Sequence, residues 1–130
     1  MLSTRAAFVL RVHAFLLFFV SVAFILQPLK MVHTLGFPSA SLSDELSWTL
    51  RGLGILLLAP ALLAPLVAAF AGERGLRQAC AGMGFITALL SGWLLLSPGS
   101  WSSAKVITVA LTVIITGGYF FALKGRRRNR

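Results

Sequence analysis

The chain has 130 residues, of which 58% are hydrophobic and only 12% are charged. A soluble domain of this composition would lack the polar residues needed to cover its surface, so the sequence indicates a membrane protein. The formal net charge of +9 does not indicate nucleic-acid binding, because the basic residues stand at the ends of apolar segments and in the C-terminal tail.

Cys80 is the only cysteine, which excludes an intramolecular disulfide and a thiol relay built on cysteine pairs. The two histidines and three acidic residues are scattered along the chain. No group of them has the spacing of a zinc or di-iron site, so the sequence predicts no metal.

The first apolar run, residues 6–27, is long enough to cross the hydrocarbon core of a bilayer at about 1.5 Å per residue. Pro28 ends it, because proline cannot donate to the helical hydrogen bonds. A secretory signal cleaved after Ser21-Val22-Ala23 is the alternative. The hydrophobic run continues past that point, however, and Arg11 would shorten the apolar core of such a signal.

A connection over residues 28–43 follows, and it carries too many apolar side chains for a free loop. We expect it to lie on the outer face of the membrane. Ser43 is the predicted N-cap of the next helix, and Asp44 and Glu45 complement the positive end of its dipole.

Three further apolar segments predict spanning helices, and they cover residues 44–70, 76–96 and 103–123. The second helix contains Pro60 and Pro65, which a transmembrane helix tolerates when neighbouring groups satisfy the freed carbonyls. A basic tail over residues 124–130 follows the fourth helix.

Two stripes of small or hydroxylated residues predict helix-packing faces. On the third helix, four residues follow one another at four-residue spacing: Cys80, Gly84, Ala88 and Gly92. On the fourth helix, the stripe consists of Thr108, Thr112 and Thr116. The threonine hydroxyls can bond their own backbone or reach a neighbouring helix. Together the stripes favour partner helices, in a homo-oligomer or a larger complex.

The lysines and arginines predict the orientation. Nine of the twelve fall on one side of the predicted helices: Arg5, Arg11, Arg74, Arg77, Lys124, Arg126, Arg127, Arg128 and Arg130. The other three, Lys30, Arg51 and Lys105, fall on the outer side. The positive-inside rule places that side, with both termini, in the cytoplasm. Three tryptophans fall at the opposite face, as an aromatic belt requires: Trp48, Trp93 and Trp101.

Arg51 is the strongest candidate for a binding residue. It lies just inside the second helix, shares a helical face with Asp44 and Ser47, and is followed by Gly52 and Gly54, which would let a flat ligand or another backbone come close. The sequence predicts a pocket here for a lipid or a small anionic or carbonyl-bearing ligand. The alternative is a side chain that extends to the lipid headgroups as an anchor.

Two other features have simpler interpretations. His13 in the first helix could be an axial ligand of haem or of a chlorophyll-type pigment, although a polar residue packed between helices is the simpler alternative and no cofactor is predicted. The arginines of the tail are predicted to anchor the topology on anionic lipid headgroups; they are Arg126, Arg127, Arg128 and Arg130.

The order of elements also carries a resemblance. A first helix that ends near a proline, a loop with Leu35-Gly36-Phe37, and the segment Leu50-Arg51-Gly52-Leu53-Gly54 opening the second helix are similar to small bacterial four-helix membrane proteins of the DoxX-like and unknown-function groups. The resemblance covers nearly the whole chain. It implies a compact four-helix bundle and no particular reaction.

Taken together, the sequence predicts one all-α domain over residues 1–130, an integral membrane four-helix bundle in a bacterial inner membrane. A non-enzymatic accessory or binding protein is favoured, because the outer face offers no nucleophile with a base at the right spacing. The alternatives are a fixed subunit of a respiratory or photosynthetic complex and a small transporter. Residues 6–27 contain no acidic residue, which disfavours a proton-coupled carrier.

Overall fold

A computed structural model describes residues 2–37, 43–97 and 100–124. Over these ranges the chain is all-helical, in the order α1 Leu2–Leu26, α2 Pro28–Thr34, α3 Asp44–Phe70, α4 Glu73–Leu96 and α5 Ser103–Lys124. Four of the helices, α1, α3, α4 and α5, are long and apolar enough to cross a membrane. The predicted all-α class and the four long apolar helices are confirmed, and the chain is a multi-pass membrane protein.

The first connection differs from the prediction, because residues 28–43 contain the seven-residue helix α2. Pro28 both ends α1 and starts α2: its missing N–H breaks the first ladder, while its fixed φ is already suited to the first position of a new helix. Gln27 stands between the two helices with φ −137° and ψ 60°. Pro28 and Val32 are buried, whereas Lys30 and His33 are exposed.

The start of α3 confirms the predicted cap. The Ser43 side chain accepts a hydrogen bond from the Leu46 N–H at 3.2 Å, and Asp44 and Glu45 occupy the first turn. The helix runs on through Pro60 and Pro65 to Phe70. The next helix begins at Glu73, three residues earlier than predicted, because the turn between α3 and α4 is short.

The bundle is built around α1, which packs most extensively on α3 and also touches α4 and α5, while α4 and α5 pair with each other. The hydrophobic core joins seven buried residues of all four long helices: Ala6, Leu10, Ala14, Ala64, Leu76, Cys80 and Tyr119. Three of them are alanines, which let the helices approach closely around the one large side chain, Tyr119.

The core lies toward one end of the molecule, where α1 begins and α5 ends. The Arg5 guanidinium there lies 5.2 Å from the centroid of the Phe121 ring. We call it the basic end, after four exposed cations: Arg5, Arg74, Arg77 and Lys124. The opposite end, where α2 lies, is called the α2 end.

The α2 end is closed by hydrogen bonds between the two connections that meet there. The Ser100 N–H and hydroxyl both donate to the Gly36 carbonyl at 3.1 Å, and the Ser102 hydroxyl donates to the Thr34 carbonyl at 2.9 Å. Gly36 has φ +90°, and a Cβ added to it would collide with the Ser100 carbonyl. Glycine is therefore required by both backbone conformation and space.

Candidate functional site

Arg51 is exposed on α3 near the α2 end. It follows Asp44, the first residue of the helix, by seven positions, which corresponds to about 10 Å along the axis. Helical side chains tilt toward the N-terminus of their helix, so a guanidinium at this position can reach back toward the α2 end. Within the described parts of the chain, Arg51 makes no hydrogen bond or ion pair.

The surface beside Arg51 is open. A Cβ added to Gly52 would meet no atom within 4 Å, and Trp48, one turn earlier, is 78% exposed. Asp44 is exposed and Ser47 half-buried. Three of the predicted ligand-binding residues, Asp44, Arg51 and Gly52, are thus accessible on the surface of α3.

Gly54 lies elsewhere, in the contact between α3 and α1. A Cβ added to it would stand 3.0 Å from side-chain atoms of Phe24 and Ile25 and 3.0 Å from the Ser21 carbonyl oxygen. The Ser21 hydroxyl donates to the Gly54 carbonyl at 2.6 Å. The role of Gly54 in this structure is close helix packing.

The small-residue stripe of α4 faces the core only over its first two residues. Cys80 and Gly84 are buried, and a Cβ on Gly84 would lie 3.1 Å from the Tyr119 Cβ, while Ala88 is half-buried and Gly92 faces open space. Each four-residue step overshoots a full helical turn by about 40°, so the stripe winds away from the core. The buried face mixes three- and four-residue steps instead: Leu76, Cys80, Gly84, Thr87, Ser91 and Leu94.

The three threonines of α5 bond within their own helix. Thr108 donates to the Ala104 carbonyl at 2.8 Å, Thr112 to the Val109 carbonyl at 2.8 Å, and Thr116 to the Thr112 carbonyl at 2.7 Å. This is one of the two predicted arrangements: the hydroxyls bond carbonyls of their own helix.

His13 and Tyr119 form a buried polar pair that sequence reasoning missed. His13 Nδ1 lies 2.6 Å from the Tyr119 hydroxyl, and the two rings meet edge to face with centroids 5.5 Å apart. His13 is 7% exposed and Tyr119 fully buried. A helical projection of α1 was the available signal, since it places His13 with Ala6 and Leu10, opposite Phe8, Phe15 and Phe19. The ring is positioned as a hydrogen-bonding group in the core, and haem or pigment ligation stays a hypothesis.

Lys105 is a second buried polar group. Counted in the sequence as an outer-face charge, it is fully buried at the start of α5. Its Nζ donates to the Ser97 carbonyl at 3.2 Å and lies 4.7 Å from the centroid of the Trp101 ring. The carbonyl accepts from the ammonium group, and the negative face of the ring attracts its charge.

The described residues contain no group of three or more His, Cys, Asp or Glu side chains placed to hold a metal ion. The predicted lipid anchor of the tail, residues 126–130, lies outside the described ranges. Among the accessible groups, the Arg51 guanidinium has the two parallel N–H groups that suit an anion.

Comparisons with protein-family models, with curated proteins and with solved structures find no match to this chain.

Proposed function

We propose that the protein is a non-enzymatic binding protein of a bacterial inner membrane, and that Arg51 binds the headgroup of an anionic lipid or a similar anionic amphiphile. The observation that carries this proposal is the exposure of Arg51 beside the open surface at Gly52. A guanidinium left in hydrocarbon costs about 2.5–3.5 kcal/mol on insertion scales. A phosphate oxygen pair removes that cost and matches the two parallel N–H groups of the arginine fork.

The surface around Arg51 suits an amphiphile along its whole length. Trp48 lies one turn closer to the α2 end, where an indole favours the headgroup region. In the other direction, Ile55 and Leu62 follow Arg51 by four and eleven residues on the same helical face, and both are 61% exposed. An acyl chain can follow these side chains toward the bilayer centre while the headgroup stays at Arg51.

Trp48 provides a direct measurement of this site. In a Trp93→Phe, Trp101→Phe background, brominated lipids bound at this site should quench Trp48 fluorescence. The binding constant of brominated phosphatidylglycerol is expected to be about fivefold higher than that of brominated phosphatidylcholine, because its headgroup carries one net negative charge. Arg51→Ala should reduce this ratio to about one, and Arg51→Lys should retain part of it because lysine keeps the charge and loses the fork.

The matched control is Arg77→Ala, which removes an exposed arginine at the basic end and should leave the Trp48 ratio unchanged. A ratio near one in the parent protein, or an equal ratio in the parent and Arg51→Ala, would contradict lipid binding at Arg51. Circular dichroism of each variant checks that the helices are intact.

The orientation proposed with this site has both termini in the cytoplasm, because the basic end carries Arg5, Arg74, Arg77 and Lys124. A membrane-impermeant maleimide added to intact cells tests it in a Cys80→Ser background. Ser103→Cys at the α2 end should be labelled from outside, and Gly72→Cys at the basic end only after the membrane is permeabilised. The reverse pattern would invert the assignment.

Partner helices are the second part of the proposal. Cβ atoms added to Gly92 of α4 and Gly117 of α5 would meet nothing within 4 Å, so both glycines leave open surface for a closely packed helix. Native mass in mild detergent, with a visible spectrum, separates the possibilities. A stoichiometric large complex would identify an accessory subunit, and a chlorin or Soret band would support pigment or haem at His13. The resemblance to DoxX-like proteins stays a prediction.

A further inference from the structure

We propose a second anionic-lipid site at Arg11 of α1, in the leaflet at the basic end, where Arg11 binds the phosphate of a phospholipid and the neighbouring phenylalanines contact its acyl chains. This site lies on a different helix and at the opposite end from Arg51. It does not depend on the function proposed for Arg51.

The two faces of α1 are sharply different. Buried residues face the other helices: Ala6, Leu10, His13, Ala14 and Ser21. The opposite face is aromatic, with Phe8 67%, Phe15 64% and Phe19 56% exposed. Phe15 and Phe19 pack edge to face, 4.7 Å between centroids. Arg11 is exposed on this face, three residues after Phe8 and four before Phe15, so it shares their surface.

Arg11 differs from the other arginine of α1. Arg5 lies over the Phe121 ring, whereas Arg11 has no hydrogen bond, ion pair or ring contact with any residue that the structure describes. It stands seven residues inside the candidate span Thr4–Leu26, which is about 10 Å of helix. A charge at that depth requires an anionic partner or access to the headgroups.

The geometry favours a lipid over a protein carboxylate. Side chains of α1 tilt toward its N-terminus, so the Arg11 guanidinium extends toward the basic end and its headgroups. The exposed cations Arg5, Arg74 and Lys124 stand at the same end, and Glu73 is the one acidic residue in the described part of this end. This positive field concentrates anionic headgroups around the bundle. Phe15, Phe18 and Phe19 then lie deeper, where the acyl chains run.

A tryptophan reporter tests the site. In a background with Trp48, Trp93 and Trp101 replaced by Phe, the Phe15→Trp variant is reconstituted in brominated phosphatidylglycerol and in brominated phosphatidylcholine. The anionic lipid is expected to bind at the reporter about fivefold more strongly. Adding Arg11→Ala should lower that ratio to about one, and Arg11→Lys should keep part of it.

The matched reporter is Phe85→Trp on α4. Phe85 is 64% exposed at a similar distance from the basic end and has no arginine within one turn. Its ratio should be near one and should not change with Arg11→Ala. The proposal is overturned if the Phe15→Trp ratio is near one, if the ratio survives Arg11→Ala, or if neither lipid quenches the reporter, since a protein partner would then cover the face. Arg51 is unchanged throughout, so this result is separate from the outcome at the α2 end.

Discussion

Tyr119→Ala is expected to lower the free energy of unfolding by about 3 kcal/mol, the low end of the range for removing a large buried aromatic ring. The low end applies because lipid tails solvate a separated helix about as well as the core does, so mainly packing is lost. Tyr119 is fully buried and contacts Gly84 of α4 and His13 of α1. Reversible unfolding in mixed micelles titrated with dodecyl sulfate measures the change.

Phe120→Ala is the matched control, because Phe120 is the next residue of α5 and is 56% exposed. It should change the stability by less than about 0.5 kcal/mol, as surface substitutions do. Equal losses for the two variants would show that Tyr119 does not occupy the core.

The hydroxyl of Tyr119 has a separate effect. Tyr119→Phe keeps the ring and leaves His13 Nδ1 without its partner, which costs about 1 kcal/mol for a buried polar group in a membrane protein. His13→Phe combined with Tyr119→Phe should cost less than the sum of the single substitutions, because no polar atom is then left unpaired. Additive losses would mean that the 2.6 Å contact contributes nothing to stability.

Gly54→Leu is expected to lower the free energy of unfolding by about 2 kcal/mol, as overpacking of a close contact does. Even a Cβ at this position meets atoms of Ser21, Phe24 and Ile25 at 3.0 Å. The added side chain must therefore separate α1 from α3 and break the hydrogen bond from the Ser21 hydroxyl to the Gly54 carbonyl. The same micelle titration measures the loss.

Gly52→Leu provides the comparison two residues away on the same helix. Both changes gain the helix propensity that glycine lacks, but a Cβ at Gly52 meets nothing within 4 Å. Gly52→Leu should therefore be neutral or stabilising. A destabilised Gly52→Leu protein, or an unaffected Gly54→Leu protein, would contradict the packing of α3 on α1 described here.

The helices could be predicted from local signals, whereas the inward faces could not. Pro28, Ser43 and the apolar lengths fixed the helix ends to within a few residues, since those signals act on their immediate neighbours. The short helix α2 was missed because seven residues are too few for a periodic pattern to show. In α4, a strict four-residue spacing pointed toward Gly92, but the buried face follows the mixed steps of two helices packing side by side.

The candidate site, too, could be predicted only in part. An arginine inside an apolar run is visible in any sequence, and Arg51 was identified from it. Which way Arg51, Gly52 and Gly54 face depends on where α1 packs, and a single sequence does not contain that contact. The pairing of His13 with Tyr119 joins positions 106 residues apart, so it appears only when the helices are assembled.

The two buried nitrogen-bearing side chains have different consequences for the order in which the protein is made. Lys105 has a hydrogen bond to the Ser97 carbonyl and a contact with the Trp101 ring, both within the hairpin of α4 and α5, so these contacts can form as soon as the two helices pair. His13 depends on Tyr119 of α5, 106 residues later in the chain. Until α5 is inserted, the imidazole of α1 has to be solvated by lipid headgroups, by water or by the insertion machinery, so docking of α5 is the step that gives His13 its partner.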